Sequence, residues 1–558
     1  MASSKEISKI RNSYGENARL GSIPAGIPAI NCKNGTFVGN LKGKVEEYLG
    51  VPFARQPVGE LRWKKPEPVP GSNGIFTAFY NGKSPIQTEW DTEMASFYPQ
   101  GEDCLYLNIW MSTQPNFYTK RPVMVFFHGG AYGWGGTADP IYNGVNFAAA
   151  HPEIILITAG YRTGIMGFVD LSYLEGGEDF PDAPNLGLLD QIEALRWVQK
   201  NCALFGGDPE NVTIFGESAG GGSVSLLPII PEAKGLFRRV IAESGSVALT
   251  FSKEQCRTFT EKLMEVSGAR SMNELMALSA EELAEINKPI NEFNNFPMRD
   301  GKLIPLDPYE SYRNGASADI DMLIGTNEDE MNYWIGEVGG IINFRYGIPV
   351  KFENDIRDFS IRDKARVNEF MQTRGRHSLW RMSEFYTEMM FRLPAVLQAG
   401  EHSRNGGKAY MYLWKKPSAI RYYGSCHAVE LAYVFRNTDV TIYTGSPADE
   451  GIADMVGQMW VNFAMTGDPS IEWLKWPEYD KKNRYTMVIS DESHVTGDPA
   501  KSNRTLLYPL LKYRINTSYT DLDLKVPFTF RTVGIGLLAA LGLVAGGVTA
   551  VYLANRKK

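Results

Sequence analysis

A chain of 558 residues with 43% hydrophobic and 22% charged residues is globular in class and long enough to bury a large core. Its net charge of -7 and pI near 5.6 give no basic footprint, and no Lys/Arg run is longer than the terminal Arg556-Lys557-Lys558, so nucleic acid is excluded as a partner. Five cysteines without C-x-x-C or Cys/His spacing exclude a sequence-encoded zinc site.

Residues 1–22 contain no apolar h-region and are expected to form an N-terminal extension rather than a secretory leader. Residues 23–512 form the predicted body. From about residue 30 to about 510, strand-like apolar runs alternate with helical patterns, the signature of one large α/β unit. PVMVFFHGG (Pro122 to Gly130) reads as a buried strand ending in a glycine turn, and EIILITAGYR as a second strand. LDQIEALRWVQKN sets Leu189, Ile192, Leu195 and Val198 at helical spacing. NVTIFGESAGGGSVSLL reads as strand, tight turn and helix. RRVIAES, DMLIGTN, KAYMYLW and RYTMVIS are later strands, and IADMVGQMWVNFAM is an amphipathic helix stopped by TGDP.

Residues 513–532 lack periodicity and are expected to be a linker. Residues 533–554, VGIGLLAALGLVAGGVTAVYLA, carry no charge and precede a basic tip at 555–558. As a helix this stretch is about 33 Å long, enough to cross a hydrocarbon core of about 30 Å. The expectation is a transmembrane helix, a single-pass tail anchor holding a cytosolic body. Its moderate apolarity and basic end favour the mitochondrial outer membrane over the endoplasmic reticulum.

Gly216-Glu217-Ser218-Ala219-Gly220 fits G-x-S-x-G between an apolar strand and a small-residue helix start. The flanking glycines permit the sharp turn that exposes a serine hydroxyl above a sheet edge. The bland alternative is a glycine-rich turn with an incidental serine. A nucleophilic serine needs a base, and the base an orienting acid. His128, in HGG, suits an oxyanion loop better than a base. His427, in GSCHAVELAYVF, follows the serine in the chain and is a candidate base beside His151, His377, His402 and His494. The acid belongs between serine and histidine, where Glu328, Asp329 and Glu330 follow a strand end. Spacing does not choose among the three, and a solvated acidic loop is the bland alternative. Backbone N–H groups for an oxyanion are offered by His128-Gly129-Gly130-Ala131 and by Ala219.

EYLGVPFARQPVGELRWKKPEP (from Glu47), EDCLYLNIW (from Glu102), HGGAY, NLGLLDQIEALRWV, FGGDPENVTIFGESAGGGSV, GTNEDE, GSCHAVE and WVNFAMTGDP follow one another along the chain. Together they resemble the type-B carboxylesterase/cholinesterase family in family order. The resemblance implies an α/β-hydrolase fold: one domain with a large central, mostly parallel twisted sheet flanked by helices. It further implies Ser218, Glu330 and His427 as the triad, with Gly130, Ala131 and Ala219 as oxyanion-hole donors. Glu330 takes the acid's place because the family's acid stands five residues after the glycine, here Gly325. Glu217, Tyr333 and Trp334 match substrate-pocket positions, and Phe293 the acyl side. Three departures stand out. Met331 replaces the glycine that usually follows the acid, and Ala131 replaces the third glycine of GGG. Cys104 has Ile86 at its usual partner position, and the second disulfide's sites are Ala269 and Met276, so the disulfide frame is missing, as fits a cytosol-facing body.

The implied activity is hydrolysis of apolar short- to medium-chain carboxylic esters near a membrane, through an acyl-serine intermediate and without a cofactor or metal. The alternatives are a choline-ester hydrolase and a non-catalytic, neuroligin-like binding protein. Expected partners are a small-molecule ester and a membrane; homodimer formation is left open.

Overall fold

The computed structural model describes residue 8 and residues 12–87, 98–114, 120–290, 296–334, 340–372 and 378–515. The strands in chain order are β1 (Arg19–Leu20), β2 (Ala29–Cys32), β3 (Gly35–Val38), β4 (Asn40–Lys42), β5 (Val45–Pro52), β6 (Ile75–Thr77), β7 (Tyr106–Ser112) and β8 (Arg121–Phe127). They continue with β9 (Ile155–Ala159), β10 (Gly207–Glu217), β11 (Arg239–Glu243), β12 (Asp321–Asn327), β13 (Ala409–Trp414), β14 (Tyr485–Ile489) and β15 (His494–Gly497). Eleven of them form one sheet in the order β15-β14-β13-β12-β11-β10-β8-β9-β7-β5-β4.

Every pairing from β9 across to β14 is parallel. The flanks are antiparallel: β4, β5 and β7 on one side, β15 on the other. The sheet is therefore mixed, with a parallel centre. Short links such as residues 43–44 can join only antiparallel neighbours, whereas parallel neighbours need a crossover of about a dozen residues or more. At the centre the sequence is apolar without alternation: Val123, Met124, Val125, Phe126 and Phe127 of β8 are all fully buried. That pattern follows from covering both sheet faces with helices.

Those helices include α1 (Leu186–Asn201) and α2 (Ala219–Leu226), which follow β9 and β10. The loop after β9 is fastened to α1 by a buried ion pair, Arg162 Nε and Nη2 donating to Asp190 at 2.8 and 2.7 Å. Three further helices, α3 (Gly340–Asp355), α4 (Ile361–Gln372) and α5 (Ser378–Tyr386), form a helical flank. Phe352, Phe359, Val367 and Phe385 from this flank share one apolar cluster with Met331 and Phe391. The segment Tyr508–Tyr513 docks on α4, with Leu510 in that cluster and Tyr513 stacked on Phe359 at 3.9 Å.

Two expectations change. A second, four-stranded sheet, β1-β6-β3-β2, stands apart from the main one. It takes in Arg19–Leu20, from the segment that the sequence sets aside as an extension ending at residue 22. Asn17 is tied in as well, its amide donating to the carbonyls of Leu49 and Tyr80. The body thus begins before residue 23. A polar segment without periodicity reads as loose, yet an edge strand needs only its backbone to pair.

Residues 516–532 of the linker, the predicted transmembrane helix at 533–554 and the basic tip at 555–558 lie outside the described residues. Among the described residues, no helix is long and apolar enough to cross a membrane.

Candidate active site

β10 ends at Glu217 and α2 begins at Ala219, so the chain reverses at the single residue Ser218. Its φ/ψ of 56°/-118° is a conformation that side chains rarely adopt. The strain is held from both sides. Ser218 N–H donates to the Glu243 carbonyl at 2.9 Å, and the Ser218 carbonyl accepts the Gly222 N–H at 2.8 Å. The flanking glycines are steric necessities: a Cβ on Gly216 would meet the Gly220 carbonyl carbon at 2.6 Å, and one on Gly220 would lie 1.9 Å from the Phe127 oxygen.

His427 Nε2 lies 2.8 Å from Ser218 Oγ, and its Nδ1 lies 2.6 Å from Glu330 Oε2. The second oxygen of Glu330 accepts the Asn327 N–H at 2.8 Å, which fixes the carboxylate's orientation. With Nδ1–H donating to Glu330, Nε2 is left as the acceptor for the serine hydroxyl. The neighbouring acids point elsewhere: Glu328 is exposed and pairs with Lys415 at 2.7 Å, and Asp329 accepts the Ser425 N–H. Met331, in the glycine's place, is fully buried, and its N–H donates to Thr387 Oγ1 at 3.2 Å. Thr387 opens a π-helical turn, Thr387–Arg392, that also lays Phe391 against the His427 ring at 5.0 Å. Single π-helical turns inside helices recur at functional sites.

The remaining histidines stand in other surroundings. His128 is buried, stacked on Tyr161 at 4.4 Å, and burial pushes its imidazole down to about 4, so it is neutral. The Tyr161 hydroxyl donates to the His128 carbonyl at 2.7 Å, bracing the start of the glycine loop. His151 sits beside Glu153, His402 bonds Ser317, and His494 is exposed. His377 lies outside the described residues.

The electrostatics at His427 pull in opposite directions. Burial disfavours its charged form, but the carboxylates of Glu217 and Glu330 outweigh burial and raise the imidazole to about 9. Glu217 Oε1 stands 3.1 Å from Nε2, the same nitrogen that faces Ser218. Behind this pair lies a second tier of buried acids. Asn327 joins them, its N–H on Glu330 and its amide on Glu430. Glu430 is held above the usual carboxylate range by burial and by Glu330. Glu243 is shifted the same way by burial and by Glu430, and it accepts the Trp460 indole N–H at 2.6 Å.

An open cavity lies over Ser218. The sequence-predicted Gly130, Ala131, Glu217, Tyr333, Trp334 and His427 all line it. Gly130 and Ala131 have φ of 103° and 48°, closing a turn in which the Gly130 carbonyl accepts the N–H groups of Gly133 and Trp134. Ala219 is the first residue of α2, where backbone N–H groups have no partner within the helix. Phe293 lies outside the described residues. Sequence reasoning missed Tyr98, Trp134, Asp139, Tyr142 and Tyr443, which also line the cavity. Trp134 and Asp139 follow the glycine loop closely enough to have been suspected. Tyr443 arrives from a distant loop that carries no local signal.

A model of the carboxylesterase family matches residues 27–506. The chain belongs to the carboxylesterase family. It is 34% identical over 509 residues to a para-nitrobenzyl esterase of Bacillus subtilis, with 86% of this chain and 98% of that protein covered. It is 30% identical to mouse neuroligin-3, covering 91% of this chain and 72% of that protein. Among solved structures, the Geobacillus stearothermophilus carboxylesterase EST55 superposes with a TM-score of 0.77 at 32% identity, covering 86% of this chain and 99% of that one. The fold is the α/β-hydrolase fold, and the chain is a carboxylic ester hydrolase.

Proposed function

We propose that Ser218 attacks the ester carbonyl, His427 takes its proton and returns it to the leaving alcohol, and Glu330 holds the imidazole in the tautomer this requires. The backbone N–H groups of Gly130, Ala131 and Ala219 receive the oxyanion, each worth about 10²- to 10³-fold in rate. Water then releases the acid from the acyl-serine, with His427 as base again. The single observation that carries this reading is the unbroken hydrogen-bonded chain Ser218–His427–Glu330 at the floor of the cavity. The preferred substrates are apolar short- to medium-chain carboxylic esters, in keeping with the aromatic walls given by Tyr333, Trp334 and Tyr142. The uncharged run at 533–554 holds the body, facing the cytosol, at a membrane where such esters partition, the mitochondrial outer membrane before the endoplasmic reticulum.

The test is a series of p-nitrophenyl esters of rising acyl length, with Ser218→Ala alongside. Turnover should drop by about 10⁶-fold in the variant, and the chain-length optimum should measure the acyl side. A variant that keeps its activity would remove Ser218 from the mechanism.

A second reading, a cationic ester such as a choline ester, draws on two carboxylates that line the cavity among its aromatic rings, Asp139 and Glu217. Acetylcholine set against its uncharged 3,3-dimethylbutyl analogue discriminates the two: a kcat/KM preference for the uncharged ester rejects the cationic reading.

A further inference from the structure

The described chain ends at a surface of unusual make-up. Ile361, the first residue of α4, is 90% exposed. A lone exposed apolar residue is ordinary; its surroundings are not. Arg357 and Arg362 flank it in exposed positions, and Lys364 folds back so that its Nζ donates to the Arg357 carbonyl at 2.6 Å. The docked terminal segment adds Lys512 and Arg514, 59% and 43% exposed. Two acids compensate two of these bases: Asp363 is buried and accepts from Ser360, Tyr513 and Lys512, and Asp307 lies 3.6 Å from Arg514, so the excess positive charge rests on Arg357, Arg362 and Lys364. Asp358 is exposed and subtracts one charge.

The described chain reaches its last residue, 515, on this same face. Residue 515 still packs against the helical flank's apolar cluster. The uncharged stretch begins at residue 533. The intervening 17 residues can span at most roughly 60 Å, whatever their conformation.

We propose that this face, Ile361 with its ring of basic residues, docks on an anionic membrane leaflet. Ile361 enters the boundary between headgroups and acyl chains, and the Lys and Arg side chains lie against anionic headgroups. The proposal rests on the membrane reading of residues 533–554 given above. Tethering makes a modest surface sufficient, because contact becomes an intramolecular event at high effective concentration. The docked face also connects to the chemistry: its apolar cluster runs through Phe359 and Leu510 to Met331 and Phe391, beside Glu330 and His427.

All five native cysteines are buried, so Ile361→Cys in the full chain offers one accessible thiol for an environment-sensitive fluorophore. Trp473→Cys, at a site 69% exposed and outside the patch, is the comparison. Both labelled chains are reconstituted into vesicles of phosphatidylcholine alone or with about one-third phosphatidylserine, and quenching by a nitroxide-bearing lipid is read. The expected result is at least twofold stronger quenching at 361 than at 473 in the anionic vesicles. Adding Arg357→Glu and Arg362→Glu should abolish the difference, since each basic residue near an anionic surface is worth roughly fivefold in partitioning. Ester hydrolysis in detergent should not change in that variant. A chain that floats with the vesicles but is quenched equally at both sites overturns the docking face and leaves the anchor standing. A chain that does not float overturns both. Quenching at 361 that is indifferent to phosphatidylserine overturns the anionic assignment.

Discussion

In the mechanism proposed above, the general base, His427, is placed under tension by its neighbours. To accept the Ser218 proton, His427 must be neutral, yet carboxylates face both of its nitrogens, Glu330 at 2.6 Å and Glu217 at 3.1 Å. Each favours imidazolium, which stabilises the transition state and also protonates the resting base. An imidazole raised to about 9 is mostly charged at pH 7, so kcat/KM should climb with pH from neutral toward that value. Glu330 cannot be relieved of this role, because it orients the ring. Glu217 can. Glu217→Gln keeps the shape, removes one charge beside Nε2, and should move the acid limb of the kcat/KM profile down by about one to three pH units. Profiles measured on one p-nitrophenyl ester between pH 5.5 and 9.5 give the answer, and coincident limbs would mean that Glu217 does not control the base.

At the level of elements, the turn around Ser218 is where local sequence and chemistry coincide most tightly. Gly220→Ala would force a Cβ to 1.9 Å from the Phe127 carbonyl oxygen, with backbone on both sides of the clash. Overpacking typically costs about 1–3 kcal/mol even where side chains can give. Here only β8 or α2 could move, so the variant should lose Tm and nearly all hydrolysis together. Gly21→Ala meets nothing within 4 Å and should alter neither. Thermal melts of the two variants, read beside their turnover, test the steric account; a fully active Gly220→Ala would refute it. The same turn explains what was legible in advance. G-x-S-x-G is visible because steric demands write glycines into the sequence. The choice of Glu330 over Glu328 and Asp329 comes from the family resemblance and not from local spacing, since only burial and direction separate the three. Nor is the small sheet, whose strands of two to four residues are too short to show a period.

Across the whole molecule, the alternation of strands and helices made the α/β class readable, because a parallel centre demands helical crossovers and unbroken apolar strands. The antiparallel flanks and the part of the aromatic cavity wall given by Tyr98, Tyr142 and Tyr443 escaped notice, since both are assembled from segments far apart in the chain. The cysteines were the most informative departure from the family pattern. All five are free and buried; burial pushes the Cys32 thiol up to about 12 and Cys202 to about 11. Thiols held so far above neutrality present almost no thiolate, so they resist oxidation and alkylation while the fold is intact. A body of this size does not need cross-links, because the buried fraction grows with chain length and the sheet's core carries the stability. Dithiothreitol should therefore leave Tm within about 1 °C, where losing a native disulfide typically costs about 2–5 kcal/mol and would shift it by several degrees. A maleimide should label no cysteine in the native protein and all five in guanidinium, counted by mass spectrometry. A Tm that falls on reduction, or fewer than five sites labelled after unreduced unfolding, would mean that the chain carries a disulfide and that the cytosol-facing placement of the body is wrong.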